Sequence, residues 1–179
     1  SQVAVLTGED KEAGIRTFAA DLIEGIKPDG RAEFVEAIAE PMPIMIFMKL
    51  MGMPLDRLRE FRLWVYDMLS SDNERRASSY VHVHAMMEPL IRERKAEPRD
   101  DLISRLVHSE IDGRPTTFEE VQAYCLLLFA AGLDTVANSL SLGVNLLSSD
   151  PLLQERLRAN PELIPEAVEE FLRRYGIVF

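Results

Sequence analysis

A mostly α-helical fold is predicted by three features of the sequence. Apolar residues recur at i, i+3, i+4 spacing in successive segments, proline and glycine breaks separate those segments, and no alternating run is long enough for a substantial sheet. The first pattern, Ile15, Phe18, Ala19, Leu22, Ile23 and Ile26, makes one buried helix face, and Lys27-Pro28-Asp29-Gly30 stops it. Arg31 to Ala39 leads through Pro41 and Pro43, which restrict the start of the next helix, into the Met- and Ile-rich segment Ile44 to Met51. Gly52-Met53-Pro54 ends that segment. A helix over Leu55 to Leu69 follows, then the turn Ser70-Ser71-Asp72-Asn73, then a helix from Glu74 to Lys95 with Pro89 as a kink site. Pro98-Arg99-Asp100-Asp101 sets acidic groups at the start of a short helix, Leu102 to His108, where the helix dipole favours them. Glu110 to Pro115 turns the chain, and Ile111-Asp112-Gly113-Arg114 can close one small hairpin.

Thr116 with Glu119 and Thr117 with Glu120 both carry the Ser/Thr-x-x-Glu capping pattern, opening a helix predicted to run to Ser149. Apolar around most of its circumference, this helix is expected in the middle of the fold with other helices covering it on several sides. Asp150-Pro151 starts the next element, Asn160-Pro161 another, and Pro165 to Arg174 forms the last helix. Neither an internal repeat nor a linker marks a second domain.

Composition narrows the function classes. Of 179 residues, 47% are apolar and 28% charged, the balance of one globular domain. The 20 Lys and Arg against 30 Asp and Glu give a net charge of −10, without a basic cluster to follow a phosphate backbone, which argues against nucleic acid. The uncharged runs Val121 to Leu133 and Thr135 to Ser149 each fall short of the roughly 20 residues a bilayer needs, and Asp134 splits them, which argues against a membrane. The single cysteine, Cys125, cannot form an internal disulfide and fits a reducing cytoplasm.

Chemistry is expected in the middle of the long helix, at Phe129-Ala130-Ala131-Gly132-Leu133-Asp134-Thr135. Gly132 costs about 1 kcal/mol of helix stability relative to Ala, which close approach of another group to the backbone compensates. Thr135 can hydrogen-bond back to the Ala131 carbonyl, bending the helix and opening a groove wide enough for a flat ligand. The plainer reading is a helix crossing in which Asp134 pairs with a neighbouring cation. Glu170 and Arg173 stand three residues apart on one helix face, where they pair with each other or hold a third group. His82 and His84 are two apart in a predicted helix and point in different directions, so no metal site is read there. His108 sits near a helix end without a role, the clustered methionines are read as core filling, and Cys125 as a packed small hydrophobe.

Taken together, the Ala-Gly-Leu-Asp-Thr segment in a long helix and the Glu-x-x-Arg pattern after it resemble the cytochrome P-450 family of haem-thiolate monooxygenases. The surrounding text is similar to its bacterial camphor-hydroxylase branch: Ala39-Glu40-Pro41-Met42-Pro43-Ile44, Ile46-Phe47-Met48, Asp112-Gly113-Arg114-Pro115, Gly132-Leu133-Asp134-Thr135-Val136 and Glu169-Glu170-Phe171-Leu172-Arg173-Arg174. The resemblance implies a mainly α, partial cytochrome P-450 fold running from the family's D helix to its K helix, with the long helix as its I helix. Residues 1–179 would form a single helical fragment, without the family's N-terminal region and without its C-terminal cysteine loop, Phe-x-x-Gly-x-x-x-Cys-x-Gly. Cys125, inside the distal helix, cannot replace that axial thiolate.

The resemblance also implies roles. Thr135 would hydrogen-bond the bound dioxygen and its water network, and Asp134 would help deliver protons for O–O cleavage. Ala131 and Gly132 would flank the haem, with Ala131 standing where many relatives carry glycine. Val178 would be a further haem contact, and Leu127, Ala130 and Leu69 would line the substrate pocket. Glu170 and Arg173 would tie the last helix to the proximal core, and Arg62 would pair with Asp134, while Ser70 stands where a second basic group is expected. The implied activity of the intact parent is insertion of one oxygen atom from O2 into a small apolar substrate, a terpenoid among the candidates, with haem as cofactor and electrons from a ferredoxin-type redox partner. The fragment alone is expected to be inactive. The alternative is a non-enzymatic all-α ligand-binding or regulatory domain.

Overall fold

The computed structural model describes residues 11–68 and 70–176 and is organised around one helix of 32 residues, α6 (Phe118–Ser149). Before it come α1 (Lys11–Ile26), α2 (Pro41–Leu50), α3 (Leu58–Met68), α4 (Asn73–Ala96) and α5 (Leu102–Val107). A two-stranded antiparallel hairpin, β1 (Glu110–Ile111) and β2 (Arg114–Pro115), leads into α6, and α7 (Pro151–Ala159) and α8 (Ile164–Arg174) follow it. The expected hairpin is present, with Asp112 and Gly113 at φ 51° and 76° forming its tight turn. Two elements differ from the sequence reading. Val35–Ala39 winds into a π-helical turn where a lead-in segment was expected, and α2 begins at Pro41, because proline at the first helical position forfeits only an amide that has no intrahelical partner. α4 continues through Pro89.

α4, α6 and α7 each start on a side-chain cap. Asp72 accepts from the Glu74 and Arg75 amides at α4, and Asp150 from the Leu153 amide at α7. At α6 the second of the two candidate capping boxes forms: Thr117 accepts from the Glu120 amide at 3.2 Å, and Glu120 accepts from the Thr117 amide at 2.8 Å. The Thr116 hydroxyl is engaged elsewhere, donating to the Leu106 carbonyl at 2.8 Å. Arg114 of the hairpin grips the Glu120 carboxylate through two nitrogens, at 2.8 and 2.5 Å, and so fastens β2 to the start of α6.

The core lies between α2, α3, α4, α5 and one side of α6. Val121, Cys125, Phe129 and Leu133, each four residues after the last, form the buried row of α6. Phe129 packs edge-on against Phe61 of α3 with ring centroids 4.9 Å apart, and Phe47 of α2 completes the aromatic trio. Met48, Met51, Met53, Met68, Met86 and Met87 fill the space around it, the role read from the sequence, with Met42 and Met45 half-buried.

The sequence expectation that helices cover α6 on several sides is corrected. Tyr124, Leu127, Leu128, Ala131, Gly132 and Val136 are exposed, and only 22% of the most apolar stretch of α6 is buried. The reason is geometric: α2 to α5 all pack on one side of α6, while α7 and α8 touch its C-terminal end, where the Phe171 ring comes within 3.4 Å of where a Gly143 Cβ would stand. By length and composition α6 also meets the measure of a membrane-crossing helix, as core helices do.

A buried polar node missed by the sequence reading joins α2, α4 and α5. Arg94, 1% exposed in the last turn of α4, donates from Nε to Asp101 Oδ2 at 2.5 Å and from Nη2 to the Gly52 carbonyl at 3.1 Å. Asp101 caps α5 through the Ser104 amide at 2.7 Å. Burial alone would raise the Asp101 carboxyl, but the Arg94 and Ser104 hydrogen bonds outweigh it and hold the group below its ordinary value. Gly52, at φ +65°, closes the node because a Cβ there would meet Asp101, with its Cγ at 2.9 Å.

Three outcomes are expected. Asp101→Asn leaves the buried Arg94 guanidinium with only the partly exposed Glu93 carboxylate, 2.9 Å from its Nη1, as counter-charge and lowers the unfolding free energy by about 3 kcal/mol in urea titration, the low end for breaking a buried pair, whereas loss of under about 1 kcal/mol would show the pair to be dispensable. Gly52→Ala is expected to destabilise by more than about 1 kcal/mol, through strain at positive φ and the clash with Asp101. The third outcome concerns acid. The Arg114 hydrogen bond, reinforced by the Thr117 amide, holds the Glu120 carboxyl at about 2 against an ordinary 4.5. Its stabilising contribution is therefore complete above about pH 4.5 and lost as pH falls towards 2. The stability gap between the wild-type chain and Glu120→Gln, followed by thermal melts at pH 7, 4 and 3 (values chosen to bracket that loss), should narrow on acidification.

Candidate active site

Consecutive residues on a helix point about 100° apart, and this separates the two expected catalytic residues. Thr135 continues the row Leu127, Ala131 along the uncovered side of α6. Its Oγ1 donates to the Ala131 carbonyl at 2.8 Å, the back-bond expected from the sequence, and Ser139 repeats the pattern on the Thr135 carbonyl at 2.8 Å. Gly132 lies beside this row, and a Cβ there would meet nothing within 4 Å, so the glycine leaves open space rather than making room for another part of the described chain. Leu127 is 61% exposed on the same side, whereas Ala130 is half-buried against the core.

Asp134 faces a different space. It lines a cavity of about 70 Å³ between α6, α3 and the start of α2, together with Glu40, Arg62, Tyr66, Asn138, Ser141 and an apolar wall. The expected Arg62–Asp134 ion pair is not formed. Arg62 donates to Glu40 Oε2 from Nε at 3.1 Å and from Nη2 at 2.6 Å, and the Tyr66 hydroxyl donates to Glu40 Oε1. Among the described residues Asp134 forms no ion pair. The physical reason is that Glu40 gathers two donors from one turn of α3, Arg62 and Tyr66 being four residues apart, and Asp134 cannot match that pair. Burial and the hydrogen bond to Glu40 push the Tyr66 phenol up, in keeping with its role as donor. Burial pulls the Arg62 guanidinium down, but its bonds to Tyr66 and Glu40 raise it on balance. Nothing in the sequence marked Glu40 beyond its place in a family-like segment, because its partners stand 22 and 26 residues away.

Glu170 and Arg173 pair with each other through two hydrogen bonds of 2.6 Å and stay exposed, so the structure places the motif at a helix surface, holding no third group among the described residues. The pairing draws the Glu170 carboxyl down and the Arg173 guanidinium up. Leu69 and Val178 lie outside the described residues. Ser70 accepts from the Asp72 amide at 3.1 Å. His82 is exposed and stacks on Trp64, ring centroids 5.6 Å apart, and His108 Nδ1 lies 2.8 Å from the Ser104 carbonyl. Among the described residues no group of three His, Cys, Asp or Glu side chains converges to hold a metal ion.

Cys125 belongs to the buried row of α6, packed into the core shared with α2 to α5, and desolvation pushes its thiol up to about 11. It is a packed side chain without thiolate character. The native chain should therefore react very slowly with a thiol reagent at pH 8 (near the unperturbed thiol value) and take up one equivalent only in denaturant, and rapid labelling of the folded chain would contradict this placement.

Comparison with known proteins shows the family. The family model for cytochrome P450 matches residues 32–170. The polyketide biosynthesis cytochrome P450 PksS of Bacillus subtilis (strain 168) is 31% identical over 170 residues, which cover 93% of this chain and 42% of that protein. Its solved structure superimposes with a TM-score of 0.86. The cytochrome P450 monooxygenase PikC of Streptomyces venezuelae is 31% identical over 172 residues, 92% of this chain and 41% of that protein. The crystal structure of CYP101J2 gives a TM-score of 0.86 at 32% identity, covering 93% of this chain and 42% of that one. The chain thus spans about 42% of the length of the relatives it matches, and it belongs to the cytochrome P450 family.

Proposed function

We propose, for a chain that belongs to the cytochrome P450 family, that α6 forms the distal wall of a haem monooxygenase site, with the Thr135 row facing the haem. The overall reaction takes a small apolar substrate, a terpenoid among the candidates, with O2, two electrons and two protons to the hydroxylated product and water. A ferredoxin-type partner supplies the electrons. A cytoplasmic setting is part of the same reading and rests on the lone, unpaired Cys125. The single observation that carries the proposal is the uncovered side of α6, where Thr135 Oγ1 bonds back to the Ala131 carbonyl beside Gly132.

The side chains present suit a flat macrocycle on that side. Ala131 and Gly132 are small and exposed, and Gly132 leaves its space open. An axial thiolate is not among the described residues, since Cys125 is packed in the core with a raised thiol. Haem held by a thiolate supplies the redox chemistry that activates O2. The chain's own residues would do the rest. Ala131 and Gly132 would let the ring approach the backbone, and Val178 would be a further contact. Leu127 would turn apolar surface towards the substrate, and the same role is proposed for Ala130 and Leu69. Rotation of the Thr135 hydroxyl away from the Ala131 carbonyl would present its proton to the groove, and Asp134 would pass protons from the cavity at its own side of the helix. Glu170 and Arg173 are assigned a structural role.

In a haem-loaded protein carrying this segment, Thr135→Ala is expected to uncouple reduction from hydroxylation, so that product formed per NAD(P)H falls and peroxide rises. Unchanged coupling would remove Thr135 from the mechanism. Asp134→Asn is expected to lower kcat by about tenfold or more while substrate affinity stays within about twofold, because the carboxylate moves protons rather than binding substrate.

A further inference from the structure

Glu40 stands at the junction of the π-helical turn and α2, and its carboxylate is saturated by α3. Arg62 delivers two hydrogen bonds to one oxygen, and the Tyr66 hydroxyl occupies the other. The Arg62 guanidinium also lies 5.8 Å from the centre of the Tyr66 ring, so the two side chains support one another. Glu40 and Arg62 are largely shielded, with side chains 19% and 29% exposed. All three line the same cavity as Asp134, and the remaining lining consists of apolar side chains with Asn138 and Ser141. Its titratable groups are thus one cation, two carboxylates and one phenol, brought together from the α2 junction, α3 and α6. One cation faces two carboxylates across a space only a few waters wide, and it is committed to Glu40.

We propose that Glu40 and Tyr66 are positioning residues that clamp Arg62 away from Asp134 and thereby keep the Asp134 carboxylate unpaired and open to the cavity. The clamp sets where the guanidinium lining the cavity resides. An arginine has several rotatable bonds, and with Glu40 neutralised the remaining anion on the cavity wall is Asp134, so the guanidinium would move to it. Paired with Arg62, that carboxylate would hold its charge more firmly and give up its part in proton transfer. This consequence rests on the function proposed for α6, whereas the clamp itself is a property of the chain alone.

The test follows the Asp134 carboxyl by residue-resolved carbon-13 NMR titration of the chain, without haem. Glu40→Gln is expected to lower the Asp134 titration midpoint by about 1 unit or more, the size of effect an adjacent guanidinium produces. Adding Arg62→Gln to that variant should return the midpoint to near its wild-type position, and Arg62→Gln alone, which removes a cation from the same cavity without breaking a pair with Asp134, should raise it by well under a unit. Tyr66→Phe, which keeps the ring and removes one donor, should lower the midpoint in the same direction by less, and it serves as the test if Glu40→Gln does not fold. An unmoved midpoint in both Glu40→Gln and Tyr66→Phe overturns the clamp, as does a midpoint raised by about a unit in Arg62→Gln alone, which would mean that Arg62 already pairs with Asp134. Since these readings need no turnover, failure of the clamp is distinguishable from failure of the haem-site assignment, which the coupling assay reports.

Discussion

Burial of one row on α6 is the constraint from which the rest of the molecule follows. Val121, Cys125, Phe129 and Leu133 recur every four residues, and α2 to α5 close over them through the Phe47–Phe61–Phe129 cluster. Once that row is fixed, every other position on the helix has a determined outlook. Ala131 and Thr135 are turned to the uncovered side, and Asp134 to the crevice beside α3. The two residues proposed to take part in catalysis, Asp134 and Thr135, are adjacent in sequence but occupy different spaces, one open and apolar, the other a small cavity with polar groups on its wall. A hydroxyl facing one compartment and a carboxylate facing the next is an arrangement suited to passing protons across a helix.

Around that row the chain is held by a few strongly specified polar contacts. Arg94 and Asp101 form a shielded pair that also caps α5 and grips the carbonyl of Gly52, so three helices depend on one guanidinium. The Glu120 carboxylate joins hairpin and helix by accepting from Arg114 and the Thr117 amide at once. Such contacts lie where the chain changes direction, and each fixes the entry of a helix. By contrast, the exposed row Ile164, Val168 and Leu172 leaves α8 resting on α6 mainly through Phe171.

Much of this was legible in the sequence, for local reasons. Helix starts could be read at Thr117 and Asp150 because a cap acts over three residues, and the Thr135 back-bond because it acts over four. The methionines and Cys125 were read as core filling from their apolar neighbourhoods, and six of the eight methionines and Cys125 are buried, with Met42 and Met45 half-buried. What escaped were contacts between distant segments. The Glu40 clamp spans 22 and 26 residues, and the hold of Arg94 on Gly52 spans 42. Residue type also misled: Arg62 is the right cation on the right helix, but its partner was decided by a competing carboxylate that no local pattern reveals. The coverage of α6 was overestimated because an apolar circumference states what a helix can bury, whereas packing within the chain decides what it does bury.

The central claim is that α6 offers its Leu127–Ala131–Thr135 side, and not its Leu133 side, to the haem. The most direct measurement is methyl NMR of a haem-loaded protein carrying this segment with paramagnetic ferric iron, because relaxation falls off steeply with distance from the metal. The account predicts that the methyl signals of Leu127, Ala131 and Thr135 are broadened far more than those of Val121 and Leu133. Broadening centred on Val121 and Leu133, or spread evenly around the helix, would contradict it.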